Sequence, residues 1–582
     1  MSSGGIAVRP GRVFLAAAEA WGPETLFLAV STAAGIWAGG RWLDPAGDPG
    51  IWWSLAQRLA HGERYYRDIF LQYGPLSPYL FSFSGRPFAF SATWFLLANW
   101  IPAIVAGVLL LRVSRPYIDL IQRVILVGFL MGISVFAPGS SRLVLSYCPA
   151  AVHALCLSLG AFLLLRSAKE RFLASYGAGA LAGLALCAKQ EIGVAAAIGL
   201  TCSLLIAGRT AWSSILRFAF GFGVVLSVGI AFVAGSGASF ESLRYESHLW
   251  PIGFFPPEWG PIFRGVAGVL AVDWIRSPLL WFWELVKALA LLSLLGLLLA
   301  RERRPSRWWP SLGLAGLLMS CDVLLGRNPL PNVRPIGLSM SVAFLVALLA
   351  LLDRRRPGRD FLIGFGLFAG IVGIRTAFSE DLSRPYSGVA HFGSILTWLV
   401  AIFCFAPRLL PGGEGLARMT RRAWVLVLLP AACYSAFEGI DSLRIRSSVP
   451  VGTHRGRIWT SKLKAELYGK IASEIRSGKR VLFLPETYAA DVLYDLPSAS
   501  PFLLHAPGWL DNRAEKMLIA RLDVDPPPAV VLFERSTAEF RIDPFGVGFG
   551  RLLSAWVHHN YDIVLRLRAG TILRRVGRPT VF

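Results

Sequence analysis

The stretch FLASYGAGALAGLALCAKQEIGVAAAIGLTCSLLIA, residues 172–207, decides the fold of this chain. A single helix of this length would measure about 54 Å, whereas the hydrocarbon core of a membrane is only about 30 Å thick. Lys189 and Glu191 carry the only charges in the run, and either would cost about 2.5–3.5 kcal/mol at the centre of a bilayer. We therefore predict two membrane helices, joined by a turn at Lys189 on the outer side.

Apolar runs of membrane-crossing length recur along residues 1–437. The chain of 582 residues is 54% hydrophobic and 16% charged, whereas soluble domains contain about 25% charged residues. The sequence therefore predicts an α-helical polytopic membrane protein with about 13 transmembrane helices. The predicted spans are 24–41, 92–112, 123–138, 147–166, 172–188, 190–207, 215–234, 279–300, 310–325, 336–352, 361–378, 389–407 and 423–437.

Basic residues are concentrated in alternate short loops, of which 301–307 and 354–359 are examples. This is the positive-inside pattern, in which cytoplasmic loops carry an excess of Lys and Arg. It predicts a cytoplasmic N-terminus and places three long segments outside: 42–91, 235–278 and the residues after 438. The net charge of +22 is therefore explained by membrane topology, and we expect no nucleic acid partner.

The last part of the chain has the composition of a small globular α/β domain. Amphipathic periodicity predicts helices at 462–476 and 512–522, apolar runs predict buried strands at 480–485 and 529–534, and 561–576 has the pattern of a hairpin. We predict two domains: a transmembrane domain at 1–439, with 42–91 as its first outer loop, and a soluble α/β domain at 440–582.

The first outer loop contains DPGIWWSLAQRLAHGERYYRDIFLQYGPLSPYL, residues 48–80. Apolar residues recur there at helical spacing from Ile51 to Leu59, which predicts a short helix lying in the membrane interface. Asp48 precedes Pro49, as expected of a residue that caps a helix N-terminus. The same carboxylate could serve as a general base at the membrane surface. The two roles are compatible, because capping fixes the carboxylate in place.

A motif in this loop resembles a known enzyme group. The pattern D-x-G-x(8–10)-L-x-x-G-x-x-Y-Y-R-D-x-F, followed by Y-G-P-L-x-P-Y, is similar to the first outer loop of GT-C glycosyltransferases. The branch is that of protein O-mannosyltransferases and of bacterial lipid A aminoarabinose and lipopolysaccharide-core transferases. One departure is that Asp48-Pro49 stands where many relatives have two adjacent acids, and the second outer loop contains no acid.

The resemblance implies a GT-C-like fold and a function. It implies an enzyme of the bacterial inner membrane that moves a sugar from a polyprenyl-phosphate donor to a hydroxyl acceptor on the external face. The acceptor would be a lipid, a cell-envelope glycan or a protein, and membrane lipids surround the protein. We expect no cofactor, and no residue cluster has the spacing of metal ligands; a divalent metal is left open.

Candidate site residues follow from the resemblance and from the chemistry. A carboxylate is needed to take a proton from the acceptor hydroxyl, and cations are needed beside the leaving phosphate. The candidate catalytic acids are Asp48, which we prefer, and the alternates Asp68 and Asp44. The candidate phosphate-binding residues are Lys189, Arg142, Arg375 and Arg244. The candidate residues of the substrate groove are Tyr66, Arg67, Tyr73 and His248.

Two other functions fit parts of the same pattern. A transporter or flippase of a lipid-linked glycan would place ionisable residues near the middle of the bilayer, often in repeated halves of the chain. Here the polar residues are concentrated at one surface, and we find no repeat. A non-catalytic assembly partner built on the same fold is the other alternative, because the second acid of the family motif is missing.

Overall fold

The structure is a computed structural model. It describes residues 10–38, 40–45, 48–69, 71, 73–116, 118–136, 144, 148–167, 172–207, 211–237, 358–377, 436–437, 439–441, 443–445, 447–505, 510, 512–535 and 543–576. The predicted spans 279–300, 310–325, 336–352 and 389–407 and most of 423–437 lie outside the described residues. The predicted total of about 13 spans therefore stays a prediction.

The first part of the chain is helical. Its described helices are α1 (Pro10–Ala38), α2 (Asp48–Ala60), α3 (Leu76–Gly85), α4 (Ala92–Ser114), α5 (Leu120–Leu130), α6 (Pro149–Ser167), α7 (Phe172–Ala188), α8 (Gln190–Ile206), α9 (Ala211–Gly235) and α10 (Arg359–Ala377). Among the described residues, three helices are long and apolar enough to cross a membrane: Ala92–Ser114, Pro149–Arg166 and Trp212–Gly235. Two shorter apolar helices are Leu173–Ala188 and Gln190–Ile206.

Helix α9 shows the outward apolar face expected in lipid. Its exposed large side chains recur every four residues, at Trp212, Leu216, Phe220, Val224 and Val228. Positions four apart lie on one face of a helix. A soluble protein rarely exposes so long an apolar stripe, so this face suits a hydrocarbon environment.

The predicted turn at Lys189 is confirmed. Helix α7 ends at Ala188 and α8 begins at Gln190, while Lys189 between them has an extended backbone with φ −147° and ψ 109°. The cost of burying its charge in hydrocarbon explains why the long apolar run is divided at this residue.

Helix α2 differs from the prediction in its surroundings. Every residue from Ile51 to Leu59 is buried, although the sequence predicted a helix lying in the interface with one polar face. On one side, the Trp53 ring stacks on Phe95 of α4 at 4.7 Å. On another side, Ser54 hydrogen-bonds to residues of the C-terminal segment. The prediction was wrong because periodicity cannot show partners that lie more than 400 positions away.

The C-terminal segment contains a hairpin and a mixed sheet. The hairpin pairs β1 (Val449–Thr453) with β2 (Gly456–Thr460). The sheet has the order β3-β4-β6-β5, with β3 (Val481–Leu484) parallel to β4 (Ala529–Phe533) and the hairpin of β5 (Tyr561–Leu567) and β6 (Gly570–Arg575) antiparallel. Its helices are α11 (Lys462–Glu474), α12 (Ala490–Leu493), α13 (Asn512–Val524) and α14 (Arg551–Asn560).

Most elements of this segment coincide with the predicted ones. The predicted helices at 462–476 and 512–522 correspond to α11 and α13, and the predicted strands and hairpin correspond to β3, β4, β5 and β6. The β1–β2 hairpin was not predicted. It contacts the turn before α4, where the Arg455 carbonyl accepts from Ala92 N at 2.8 Å and the Arg455 guanidinium donates to the Ala89 carbonyl. One hydrophobic core extends from α2 into this segment.

Candidate active site

The candidate base Asp48 is the first residue of α2. The sequence predicted it one position earlier, as the residue that precedes the helix. The Asp48 side chain is outside the described part of the chain, so its place is given by the backbone. Position 48 lies one helical turn before Trp52, about 6 Å along the helix axis.

A chain of ring contacts connects this helix to Lys189. The Trp52 ring stacks on the Tyr73 ring, with 5.1 Å between centroids. The Lys189 ammonium lies 4.2 Å from the centroid of the same Tyr73 ring. Trp52, one helical turn after Asp48, is therefore connected to the break between α7 and α8 through the single ring of Tyr73. The assignment of Asp48 and Lys189 to one site stays a prediction.

Lys189 is a buried cation with a carboxylate partner. Its side chain is 3% exposed, and its Nζ lies 3.1 Å from Glu191 Oε1. Burying an ammonium is costly unless it is paired. Glu191 supplies an opposite charge, and the face of the Tyr73 ring adds a cation–π contact. Lys189 is thereby held as a paired, buried cation at the turn between α7 and α8.

The segment around Tyr73 lies in close backbone contact with the end of α7. The Tyr73 carbonyl accepts from the Tyr65 hydroxyl at 2.9 Å and also from the Tyr66 hydroxyl. A Cβ placed on Gly74 would lie 2.1 Å from the Cys187 carbonyl oxygen. Only glycine permits this approach, which positions Tyr73 over Lys189.

Gly74→Ala is expected to lower the transfer rate about 100-fold, because moving a positioning segment by roughly 1 Å can have an effect of that size. The new methyl group would collide with the backbone of Cys187 and push Tyr73 away from Lys189. The steady-state transfer rate is the measurement. Gly223→Ala is the matched control, because nothing lies within 4 Å of a Cβ at that position in α9. Parent-like activity of Gly74→Ala would show that the contact does not position the site.

Tyr66, a predicted residue of the substrate groove, lies inside the folded loop. Its side chain is buried, and its hydroxyl is engaged by the Tyr73 carbonyl. Arg67 is half exposed on the same turn. The structure thus places Tyr66 in the scaffold of the loop, while Tyr73 contacts Lys189 directly.

Asp68, an alternate candidate base, closes the turn that contains Tyr66. Its Oδ2 accepts from the Arg64 backbone N–H at 2.9 Å, and its Oδ1 lies 3.4 Å from Arg67 Nε. These contacts give Asp68 a structural task in the turn. Its candidacy for proton transfer stays a prediction.

Asp44, the other alternate, contacts the C-terminal segment. Its Oδ1 accepts from the Thr460 hydroxyl at 3.2 Å, and its Oδ2 lies 4.0 Å from Lys464 Nζ of α11. Beside it, Trp459 lies under the Arg41 guanidinium at 5.0 Å. Asp44 therefore helps to connect the first outer loop to β2 and α11.

A buried polar contact between α2 and the C-terminal segment was not predicted from the sequence. The Ser54 hydroxyl donates to Asp491 Oδ1 at 2.6 Å and lies 3.0 Å from the Thr487 hydroxyl. One turn later, Arg58 donates to the Ser500 carbonyl and pairs with Glu63. Thr487, Asp491 and Ser500 are more than 400 positions from α2, so no local motif could reveal these contacts.

Asp491→Asn is expected to change the dependence of stability on pH. Burial raises the pKa of Asp491 to about 6, above the usual value of about 3.9, so the folded protein binds this proton more tightly than the unfolded chain does. Its contribution to stability is therefore largest below about pH 4 and declines as the pH rises to about 6. Asparagine keeps an acceptor for Ser54 and removes this titration.

The measurement is the apparent Tm of parent and Asp491→Asn at pH 4.5 and 7.5. The Tm of the variant relative to the parent is expected to be higher at pH 7.5 than at pH 4.5. Asp562→Asn, which removes an exposed carboxylate from β5, is the matched control. An equal difference in Tm between Asp491→Asn and the parent at both pH values would contradict the prediction.

The remaining candidates lie outside the described residues. Arg142, Arg244 and His248 belong to stretches that the structure does not describe, and Arg375 lies in α10 with its side chain outside the described part. Within the described residues, no group of three or more His, Cys, Asp or Glu residues could hold a metal ion. The expectation of no cofactor, with a divalent metal left open, stays a prediction.

Comparisons with known proteins return structures only. No protein-family model matches the chain, and no curated protein sequence matches it. The solved structures include ArnT from Cupriavidus metallidurans in the apo state, with 12% identity, a TM-score of 0.44, and coverage of 96% of this chain and 98% of that one. ArnT from the same organism bound to undecaprenyl phosphate has 13% identity, a TM-score of 0.43, and coverage of 96% and 99%.

A further match is the Archaeoglobus fulgidus oligosaccharyltransferase in the apo form, with 14% identity, a TM-score of 0.47, and coverage of 95% of this chain and 75% of that one. All three of these structures have TM-scores below 0.5 and identities below 25%. At these identities and TM-scores, the roles of individual residues rest on the contacts of this chain.

Proposed function

We propose that the chain is a membrane glycosyltransferase that moves a sugar from a polyprenyl-phosphate donor to a hydroxyl acceptor on the external face of the membrane. The observation that carries the proposal is the contact series Trp52–Tyr73–Lys189, which brings the helix that begins at Asp48 to a buried cation at the end of an apolar helix hairpin. A carboxylate on the first residue of this helix and a cation at the turn of the hairpin would suit an acceptor hydroxyl and a lipid phosphate.

The proposed step is a displacement at the anomeric carbon of the donor sugar. The acceptor hydroxyl oxygen forms the new bond to this carbon while Asp48 takes the hydroxyl proton. The bond between the anomeric carbon and the phosphate oxygen breaks, and polyprenyl phosphate leaves with the electron pair. Lys189 balances the charge that develops on the phosphate, and candidate arginines of the outer loops assist it.

The proposed topology puts this chemistry on the external face of the membrane. The positive-inside pattern puts the N-terminus in the cytoplasm of a bacterial cell, and the turn at Lys189, the first outer loop and the C-terminal segment on the opposite side. The contacts of Ser54 and Asp44 with the C-terminal segment agree with a common side for these parts. The acceptor class would be a lipid, an envelope glycan or a protein.

The proposal is tested by reconstituting the full chain in lipid nanodiscs with radiolabelled polyprenyl-phosphate sugars and candidate acceptors. Transfer of label to the acceptor, with release of one polyprenyl phosphate for each sugar moved, is the expected result. In proteoliposomes, movement of the labelled carrier between leaflets without transfer would contradict the proposal and favour a flippase. Absence of both activities with every donor would favour the non-catalytic assembly partner.

A further inference from the structure

The C-terminal segment contains a cavity of about 160 Å³ beside the first outer loop. Its lining includes Lys464, Tyr468, Tyr488, Phe533, Glu534 and Arg568. Sites that enclose drug-sized ligands measure roughly 300–1,000 Å³. The cavity is therefore suited to one small unit, such as a single monosaccharide of a longer chain.

The walls combine aromatic rings with positive charge. Tyr488 and Phe533 meet edge to face, with 4.6 Å between centroids, and the Lys464 ammonium lies 5.6 Å from the Tyr488 ring centroid. Arg568 supplies a second cation from the turn between β5 and β6. Flat apolar rings suit the C–H face of a sugar. The two cations face two carboxylates, Glu534 in the lining and Asp44, whose Oδ2 lies 4.0 Å from Lys464 Nζ. At 4.0 Å this pair is loose, so Lys464 as well as Arg568 can donate to an anionic group of a ligand.

The cavity is close to the acids of the first outer loop. Lys464, which lines it, lies 4.0 Å from Asp44. The Tyr468 hydroxyl donates to the Tyr488 carbonyl at 2.7 Å, which fixes the wall nearest to α2. A ligand in the cavity would therefore lie beside the segment that leads from Asp44 to Asp48.

The backbone of this wall is strained and touches α2. Tyr488 and Ala489 have positive φ values of 45° and 56°, a conformation that is uncommon for residues other than glycine and is costly to maintain. A Cβ placed on Gly50 of α2 would lie 2.8 Å from Ala489 N and 2.2 Å from the Pro45 carbonyl oxygen. The wall of the cavity is thus in van der Waals contact with the helix turn that begins at Asp48.

We propose that this cavity binds an anionic sugar unit of the acceptor, with the pyranose against Tyr488 and Phe533 and its carboxylate or phosphate group between Lys464 and Arg568. The identification of this sugar as part of the acceptor rests on the proposed function. The binding of an anionic sugar to the cavity does not depend on it. Recognition of one acidic unit would place a neighbouring hydroxyl of the acceptor near the first outer loop.

The test is equilibrium binding to the full chain in nanodiscs at low salt, measured by saturation-transfer NMR. The probes are glucuronate, glucose 6-phosphate, glucose and inorganic phosphate. At least one anionic sugar is expected to bind about tenfold more tightly than glucose, because its charged group accepts charge-assisted hydrogen bonds that glucose cannot form. The tighter of the two anionic sugars identifies the group as a carboxylate or a phosphate.

Two variants locate the site. Arg568→Gln and Lys464→Gln are each expected to remove the preference for the anionic sugar over glucose. Arg566→Gln on the same hairpin and Lys462→Gln on the same helix remove exposed charges that do not line the cavity, and they are expected to keep the preference. Because Arg568 is exposed on a turn, its replacement should not disturb folding.

Three outcomes would overturn the inference: equal affinity for glucose and both anionic sugars, equal affinity for inorganic phosphate and glucose 6-phosphate, or equal losses in Arg566→Gln and Arg568→Gln. Failure of the cavity assignment and failure of the proposed function can be distinguished. Transfer activity without anionic-sugar binding would overturn only the cavity assignment, whereas binding without transfer would contradict only the enzymatic role.

Discussion

Replacing Asp48 by asparagine is expected to lower the transfer rate about 10²- to 10⁴-fold, the usual contribution of a positioned general base. Asparagine has nearly the same shape and fits the first turn of α2, but it cannot accept the proton of the acceptor hydroxyl. The loss is therefore expected in the chemical step, with the fold and the Tm largely retained. The measurement is the steady-state transfer rate at saturating donor and acceptor.

Asp44→Asn and Asp68→Asn are measured beside it. Each of these carboxylates accepts a hydrogen bond from a neighbour, and an asparagine carbonyl can accept the same bond. The transfer rates of these two variants are therefore expected to fall less than that of Asp48→Asn. Asp119→Asn is the control, because Asp119 caps α5 and asparagine caps equally well. A larger loss in Asp44→Asn or Asp68→Asn would transfer the role of base to that residue.

Lys189→Met is expected to lower the transfer rate about 10²- to 10³-fold, the usual cost of removing one group that stabilises charge in the transition state. Methionine keeps much of the length and apolar contact of the lysine stem but cannot balance the leaving phosphate. Affinity for polyprenyl phosphate is expected to fall as well. Transfer rate and carrier binding are measured on the same preparation.

Because the buried Lys189 pairs with Glu191, whose side chain is 39% exposed, the single variant removes the cation that faces this carboxylate. The double variant Lys189→Met with Glu191→Gln removes both charges and separates loss of the cation from loss of folding. Its Tm is expected to recover while its transfer rate remains low. Lys470→Met, on the exposed side of α11, is the matched control. Recovery of transfer in the double variant would contradict the role assigned to Lys189.

Sequence alone was sufficient where the signal is local. The break between α7 and α8 follows from the charge of Lys189 inside a run too long to cross the membrane once, and the structure has it at that residue. The strands β3 and β4 follow from short apolar runs bounded by polar residues. In both cases, the deciding physical term, the burial of a charge or of apolar surface, can be read from neighbouring residues.

Sequence was insufficient where the partners are distant in the chain. The polar side of α2 indicated exposure to water, but Ser54 is satisfied by Asp491 and Arg58 by the Ser500 carbonyl and Glu63. Tyr66 is a different case, because its partner Tyr73 is only seven positions away; the fold of the loop, and not a distant segment, buries it. Hydrogen bonds of this kind change a residue from surface to core without any change in local pattern.

The role of Asp48 as general base is tested by a single-turnover measurement with donor already bound to the protein. Donor affinity and the rate of sugar transfer after mixing with acceptor are recorded for the parent and for Asp48→Asn. Because Asp48 acts in the chemical step, the variant is expected to bind the donor as the parent does and to transfer its sugar about 10²- to 10⁴-fold more slowly. Transfer by Asp48→Asn at the parent rate would contradict it.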